Sequence, residues 1–449
     1  MKKVYSKLMA ILLTAVMLTA LAACAGDSGP ASGSDNISTS VTASEQTDEP
    51  STSPDSEAES AAPTGSGETI NFWYMGDSAN QLQPIIDTYE AQTGNTIEVQ
   101  AVPWNALTEK LLTAIASRSG PDCMQTAVSR TAELVASDAI LDITAEIEAT
   151  EEFSMDKYFE VAYDSLKIGN SYYGVPWISD IYPLAYRTDL FEEAGYTEFP
   201  DTWDELYEAC AKIYETTGKS TFNVIEGPYN YNFLMSFPFQ AGCEVVTEDG
   251  EAKFDTPEMK AAMEYIMKYI NSGISSDIND GVDGAVKLSN GDAAVVGGST
   301  WLVSNIKDLP ELEGKWDMAL WPEGPGGRDS VYAGSNLVIT TWTDKKDACL
   351  QWIEHLVTKE NILKHYETSS SLPPRIDAWE TVIADSEYNM QAFMDQLNYA
   401  RPFPKVAEMQ EIGIEFTKYA ERIMVGKEDI DTVLEEMQQR AEEILARSR

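Results

Sequence analysis

Few residues in this chain could do covalent, redox or metal chemistry, and their spacing excludes most of it. His355 and His365 are the only histidines among 449 residues, too few for a multi-histidine zinc centre. The five cysteines stand at positions 24, 123, 210, 243 and 349, so no C-x-x-C pair exists for redox work or metal binding. Cys123, Cys210, Cys243 and Cys349 allow three disulfide pairings. Cys210 and Cys349 sit at apolar positions of helical stretches, where a free buried thiol is common, and the pairing stays open. Tyr172 and Tyr173 superficially suggest ferric-ion ligands, but successive residues of a strand point to opposite faces. Rings and carboxylates are plentiful instead: aromatics are 10% of the chain and Asp plus Glu number 74. They suit non-covalent recognition, with flat faces from rings and acceptors from acids.

The same acids exclude whole classes of partner. Lys plus Arg number 31 against 74 Asp plus Glu, a net charge of −43. Such a surface repels nucleic-acid phosphates and anionic lipid headgroups. The 43% hydrophobic content is ordinary for a globular protein, and the length fits two large lobes or about three domains.

Residues 1–23 read as a secretory leader. Lys2, Lys3 and Lys7 precede an uncharged run from Leu8 to Ala23, too short for a stable transmembrane helix of about 20 residues. The run ends in Leu21-Ala22-Ala23-Cys24, which resembles a lipobox, in which the cysteine thiol accepts a diacylglycerol and becomes the new N-terminus. Residues 25–67 hold no aromatic residue, Lys or Arg, and only Ile37 and Val41 as large aliphatics. That composition cannot bury enough apolar surface to offset ordering entropy. With Cys24 it forms an acidic tether (24–67) of about 35–40 Å root-mean-square reach. The expected location is the extracytoplasmic face of the cell membrane, held by the lipid.

The body starts with strand-like Thr69–Tyr74, a helix from about Ala79 to Gln92, and a strand at Thr96–Val102. A helix over Asn105–Ser117 with Leu107, Leu111, Leu112 and Ile115 on one face follows, and Gly120–Gln125 leads into a third strand. That alternation predicts parallel strands with helical crossovers, an α/β sheet. Thr202-Trp203-Asp204-Glu205 is a capping box, and Thr256-Pro257-Glu258 places an N-cap and an N1 proline. Further strands are expected near Trp316–Leu320 and Leu337–Thr340, and a helix after Asp344. Two or three amphipathic helices are expected from Met390 to Arg447. Trp203, Trp316 and Trp321 are assigned to packing.

Several segments, in this order, resemble the extracellular solute-binding proteins of ABC importers, family 1, the maltose-binding-protein-like group. They are Gly120-Pro121-Asp122, Tyr173–Trp177, Leu184–Phe191, Ala194–Tyr196, Pro200–Leu206, Leu288–Ala294, Gly298–Trp301 and Ala333–Ile339. One departure is Arg187, where the family usually has asparagine. The resemblance implies an α/β, two-lobe periplasmic-binding-protein-like fold with a ligand cleft and hinge strands. The crossings fall near Ile178–Tyr182, Ala333–Asn336 and Pro373–Ile376. Lobe I would comprise 68–179 and 335–375, and lobe II 180–334 and 376–449, closing about the ligand. No cofactor and no metal are implied. The expected partners are a carbohydrate and the permease subunits of an ABC transporter, with the chain itself a monomer.

A sugar presents hydroxyls at its rim and C–H faces above and below, so its site needs acids, amides and rings, each good ring contact adding about 0.5–1.5 kcal/mol beyond burial. Trp73 and Asp77 end the first strand; the alternatives are a core tryptophan and a helix N-cap. Arg130 matches the arginine of a family Asp-Arg pair whose acid is here Ser129; the alternative is a salt-bridged arginine. Asp180 at the first crossing matches an acidic ligand contact, Trp301 a stacking ring, and Asn336 lies at the second crossing. Other solutes of the same fold are a polyamine, a peptide or ferric ion. A secreted glycoside hydrolase would need a second carboxylate at a defined separation from Asp180, and the sequence identifies none.

Overall fold

The computed structural model describes residues 67–223, 231–277, 282–307, 309–384, 386 and 388–448. The leader, Cys24 and the tether up to residue 66 lie outside the described residues. The first strand, β1 (Thr69–Met75), is apolar on both sides. Ile70, Phe72 and Tyr74 enter one core with Leu82, Ile85 and Trp352, while Trp73 and Met75 enter another with Leu107 and Leu111. Burial on both faces is what a parallel strand covered by helices requires. Helix α1 (Gln83–Thr93) ends at Gly94, whose φ of 73° is left-handed, and leads to β2 (Thr96–Val102), α2 (Trp104–Ser117) and β3 (Cys123–Ala127). Both β2 and β3 run parallel to β1, as the alternation of elements predicts. One expectation changes. Leu112 is 57% exposed, and Ala114 joins Leu107 and Leu111 in the core, because a residue adjacent to Leu111 lies 100° around the helix from it.

The remaining elements that frame the site are β4 (Val175–Asp180), β5 (Leu184–Arg187), α3 (Trp203–Thr217), β6 (Phe222–Asn223), α4 (Tyr231–Gln240) and α5 (Pro257–Ser272). They continue with β7 (Val295–Gly297), α6 (Thr300–Ile306), β8 (Trp316–Ala319), β9 (Ala333–Ile339), α7 (Lys346–Leu356), α8 (Met409–Met424) and α9 (Ile430–Leu445). Two sheets result. One has five strands in the order β2-β1-β3-β9-β4, the other four in the order β8-β5-β7-β6. The chain leaves the larger sheet after Asp180, enters the smaller at Leu184, and returns at Ala333. A third pass is marked by bridges from Leu372 to Ser179 and from Arg375 to Tyr158.

Helices α3, α4, α5, α8 and α9 share one core with the four-stranded sheet, and α1, α2 and α7 cover the two faces of the five-stranded sheet. The Thr202 capping box forms, with Glu205 N–H donating to Thr202 Oγ1 and Glu205 accepting from Thr202 N–H. Thr256 likewise caps α5. Arg187, the departure from the family pattern, is a brace: it holds both oxygens of Asp189 (2.8 and 2.7 Å) and donates to Leu288 O at 2.8 Å. Trp203 stacks on Tyr265 at 4.0 Å, Trp316 on Tyr388 at 4.7 Å, and Trp321 is fully buried. The four described cysteines are free thiols, all buried. No described helix is long and apolar enough to cross a membrane.

Candidate ligand-binding site

Strand directions decide which residues meet. β1, β2 and β3 are parallel, β9 runs against β3, and β4 runs against β9. All but β9 therefore end on one edge of the sheet, where ligands of open α/β sheets bind. Asp77 lies two residues past Met75, the last residue of β1. Ser129 lies two past Ala127 and Asp180 two past Ile178, and both of those residues face Ser335 of β9. Asp77, Ser129, Arg130 and Asp180 thus share the carboxyl edge.

At its near end the edge is built around Asp180. Tyr182 O–H donates to Asp180 Oδ2 at 3.2 Å, and Asn232 Nδ2 of α4 donates to Tyr182 Oη at 3.1 Å. Burial pushes the Asp180 carboxyl up to about 6, against hydrogen bonds from Ser299 and Tyr182 that favour its ionised form. Ser299 precedes α6, whose second residue is Trp301, with its ring 38% exposed. It stands two residues past Ser299, whose side chain hydrogen-bonds Asp180.

Helix α8 packs on the turn that follows β3. Gln410 Oε1 accepts from Ser129 Oγ at 3.2 Å and from Tyr231 Oη at 2.9 Å. A residue following the larger sheet is thereby tied to two helices packed on the smaller. Arg130 is only 6% exposed and pairs with Glu133 at 2.8 Å, with a further hydrogen bond to Thr108. Its charge is therefore compensated in place by Glu133. Buried side-chain acceptors without a hydrogen bond among the described residues include Asn232 Oδ1 and Glu408 Oε1, and inside the sheet Asn336 Oδ1 and the Thr126 hydroxyl. Leaving such an atom unsatisfied costs about 1–3 kcal/mol, a cost that a donor on a bound molecule would remove. Among the described residues no group of three or more His, Cys, Asp or Glu could hold a metal ion.

Two expected site residues lie elsewhere. Trp73 is 9% exposed and packed in the core with Leu107 and Leu111, under the Lys110 ammonium 5.1 Å from its ring centroid. Alternation along β1 turns it toward α2 instead of the edge. Asn336 is fully buried in mid-strand, three residues inside the edge, opposite Thr126, and its amide donates to Ser165 Oγ at 3.4 Å. Asp77 is exposed and caps nothing; the Asn80 N–H that a cap would serve goes to Ser78 Oγ. The candidate residues that the sequence did not reveal are Tyr182, Asn232, Ser299 and Gln410. Only Tyr182, two residues after Asp180, carried a local signal. A groove of about 590 Å³ between Lys167, Phe239, Glu248 and Arg401–Val406 includes neither Asp180 nor Trp301 in its lining.

Two helix-covered sheets joined by three chain passes, with a polar edge facing the second sheet, define a two-lobe binding protein. The sugar-binding protein MalE of Xanthomonas citri has this fold, with a TM-score of 0.79 and 28% identity over 84% of this chain and 98% of that one. The family model of the bacterial extracellular solute-binding proteins matches residues 75–362, and the chain belongs to that family. Its relatives include an arabinooligosaccharide-binding protein of Halalkalibacterium halodurans, 23% identical, covering 74% of this chain and 77% of the relative. A diacetylchitobiose-binding protein of Streptomyces coelicolor is 24% identical, covering 78% and 77%. The protein is an ABC-type solute-binding protein and not an enzyme.

Proposed function

We propose that the protein is a lipid-anchored extracytoplasmic receptor that binds a sugar or oligosaccharide between its lobes and delivers it to the permease subunits of an ABC importer. The observation that carries this reading is the buried, unpartnered acceptor Asn232 Oδ1, whose amide nitrogen holds the Tyr182 hydroxyl that donates to Asp180, with the exposed Trp301 two residues past Ser299, which also bonds Asp180. Acceptors in number with one open ring match a ligand that offers many hydroxyl donors and a C–H face. The carbohydrates named for its relatives support the same class. Asp77 and Arg130 belong to the proposed site. In this reading lobe I is 68–179 with 335–375, lobe II is 180–334 with 376–449, and the passes between them are the hinge. Cys24 carries the lipid, residues 25–67 give reach to the permease, and the receptor acts as a monomer.

One observation favours a second solute. Asp180 and Glu408 are acids, and Arg130 is already held by Glu133, so a polyamine would also be accommodated. A thermal-shift panel of mono- and oligosaccharides with spermidine tests both. Ligand at 100 times its Kd adds about 2.7 kcal/mol to stability. A shift with a carbohydrate supports the proposal, and a shift with spermidine alone refutes it.

A further inference from the structure

Resting on that carbohydrate reading, we propose that Trp104 is a second ring contact for the ligand, and that the ligand is an oligosaccharide long enough to reach it from Asp180. Val102 ends β2 in register with Met75 of β1. Trp104 and Asp77 are each two residues past that pair, so Trp104 stands on the same carboxyl edge as Asp77, Ser129 and Asp180. It is the first residue of α2, and its ring is 49% exposed. The helix buries Leu107, Leu111 and Ala114 instead. Thr108, one turn on and on the same flank, accepts from Arg130, which ties this flank of α2 to the candidate site.

Distance supplies the second argument. β2 and β4 are the outermost strands of the five, so Trp104 and Asp180 are separated by four inter-strand spacings, on the order of 19 Å at about 4.8 Å each. That is several times the width of one pyranose ring. A monosaccharide held by Asp180, Asn232 and Trp301 cannot touch Trp104; a chain of several units lying along the edge passes Arg130 and Asp77 and reaches it. Trp301 approaches from the smaller sheet and Trp104 belongs to the larger, so the two rings grip separate units.

The test is calorimetric titration of the full chain with three series of one to four units: malto-, arabino- and chito-oligosaccharides. Wild type, Trp104→Ala, Trp104→Phe and Leu112→Ala are compared. Leu112 is the control, an exposed apolar residue on the same flank two turns, about 12 Å, from the edge. For the series that binds, Trp104→Ala should weaken the longest member by about tenfold, the worth of one ring contact with its burial. The monosaccharide should change by less than twofold. Trp104→Phe should restore most of the loss, and Leu112→Ala should match wild type at every length. An equal loss at all lengths, or none at the longest, overturns the role of Trp104 and leaves the receptor reading standing. If wild type binds no member of any series, the carbohydrate reading falls and this proposal with it.

Discussion

Tyr182 donates a 3.2 Å hydrogen bond to Asp180, two residues before it in the chain, and in doing so spans the pass between the two sheets. Asp180 is the last residue of β4 in the larger sheet, whereas the Tyr182 hydroxyl is fixed by Asn232 of α4, which packs on the smaller one. The acid is therefore oriented by the opposite lobe. A ligand that engages Asp180 and Asn232 together senses the angle between the lobes, which gives closure a direct chemical readout.

Asp180→Asn should trade affinity for stability. The folded carboxyl titrates at about 6, against 3.8 without burial. Between those values the native state holds more protons than the unfolded chain, so wild-type stability falls as pH rises through this window, and the full cost remains above it. The amide carries no such cost. The variant should gain stability relative to wild type progressively from pH 4 to 6, by up to about 3 kcal/mol at pH 7, and no gain should remain below pH 4. Melting curves across pH 3.5–7.5 check this; a variant less stable than wild type at pH 7 would contradict it.

Tyr182→Phe should weaken ligand binding by about tenfold, by removing the donor that positions Asp180 and freeing Asn232 Nδ2. It should also raise the Asp180 pKa, because one of the two hydrogen bonds favouring the ionised form is gone. The pH dependence of affinity, measured by calorimetry, should shift to higher pH. An unchanged profile would mean that the bond is not made in solution.

Trp301→Ala should lower affinity by about tenfold or more while leaving the melting temperature of the ligand-free protein within a degree or two. Trp301 is 38% exposed, so its removal leaves a gap open to solvent and the larger loss falls on the ligand. A large drop in ligand-free melting temperature would make it a packing residue.

Cys24→Ala should release the protein from the membrane fraction. A single lipid-bearing terminus is the proposed anchor, and an acidic surface of net charge −43 offers no electrostatic substitute. Retention at the wild-type level would contradict the anchor.

Much of the fold was legible because local signals agreed with it. Period-two and period-3.6 patterns located β1, β2, α2 and β3, and two cap signatures fixed the starts of α3 and α5. The family segments added the two-sheet arrangement. The site was only partly legible, for a physical reason. Asp180 ends β4 and Arg130 and Asp77 follow strand ends, so their place on the carboxyl edge could be expected from sequence. Asn232 and Gln410 reach the edge from helices 52 and 230 residues beyond Asp180, counted from their numbers. Only tertiary packing sets such a contact. Trp73 and Asn336 failed for the opposite reason: each sits near an expected crossing or strand end, but pleat direction in one and depth within the sheet in the other put them in the core.

The most direct test of the central claim is calorimetric titration of wild type and the Asp180→Ala, Trp301→Ala double variant with the carbohydrate that gives the largest thermal shift. In the proposed site the two residues contact different parts of the ligand, so their losses should nearly add, to about a hundredfold, in a variant that melts like a folded protein. A folded double variant that binds the same carbohydrate with wild-type affinity would show that the ligand does not lie at the Asp180 edge.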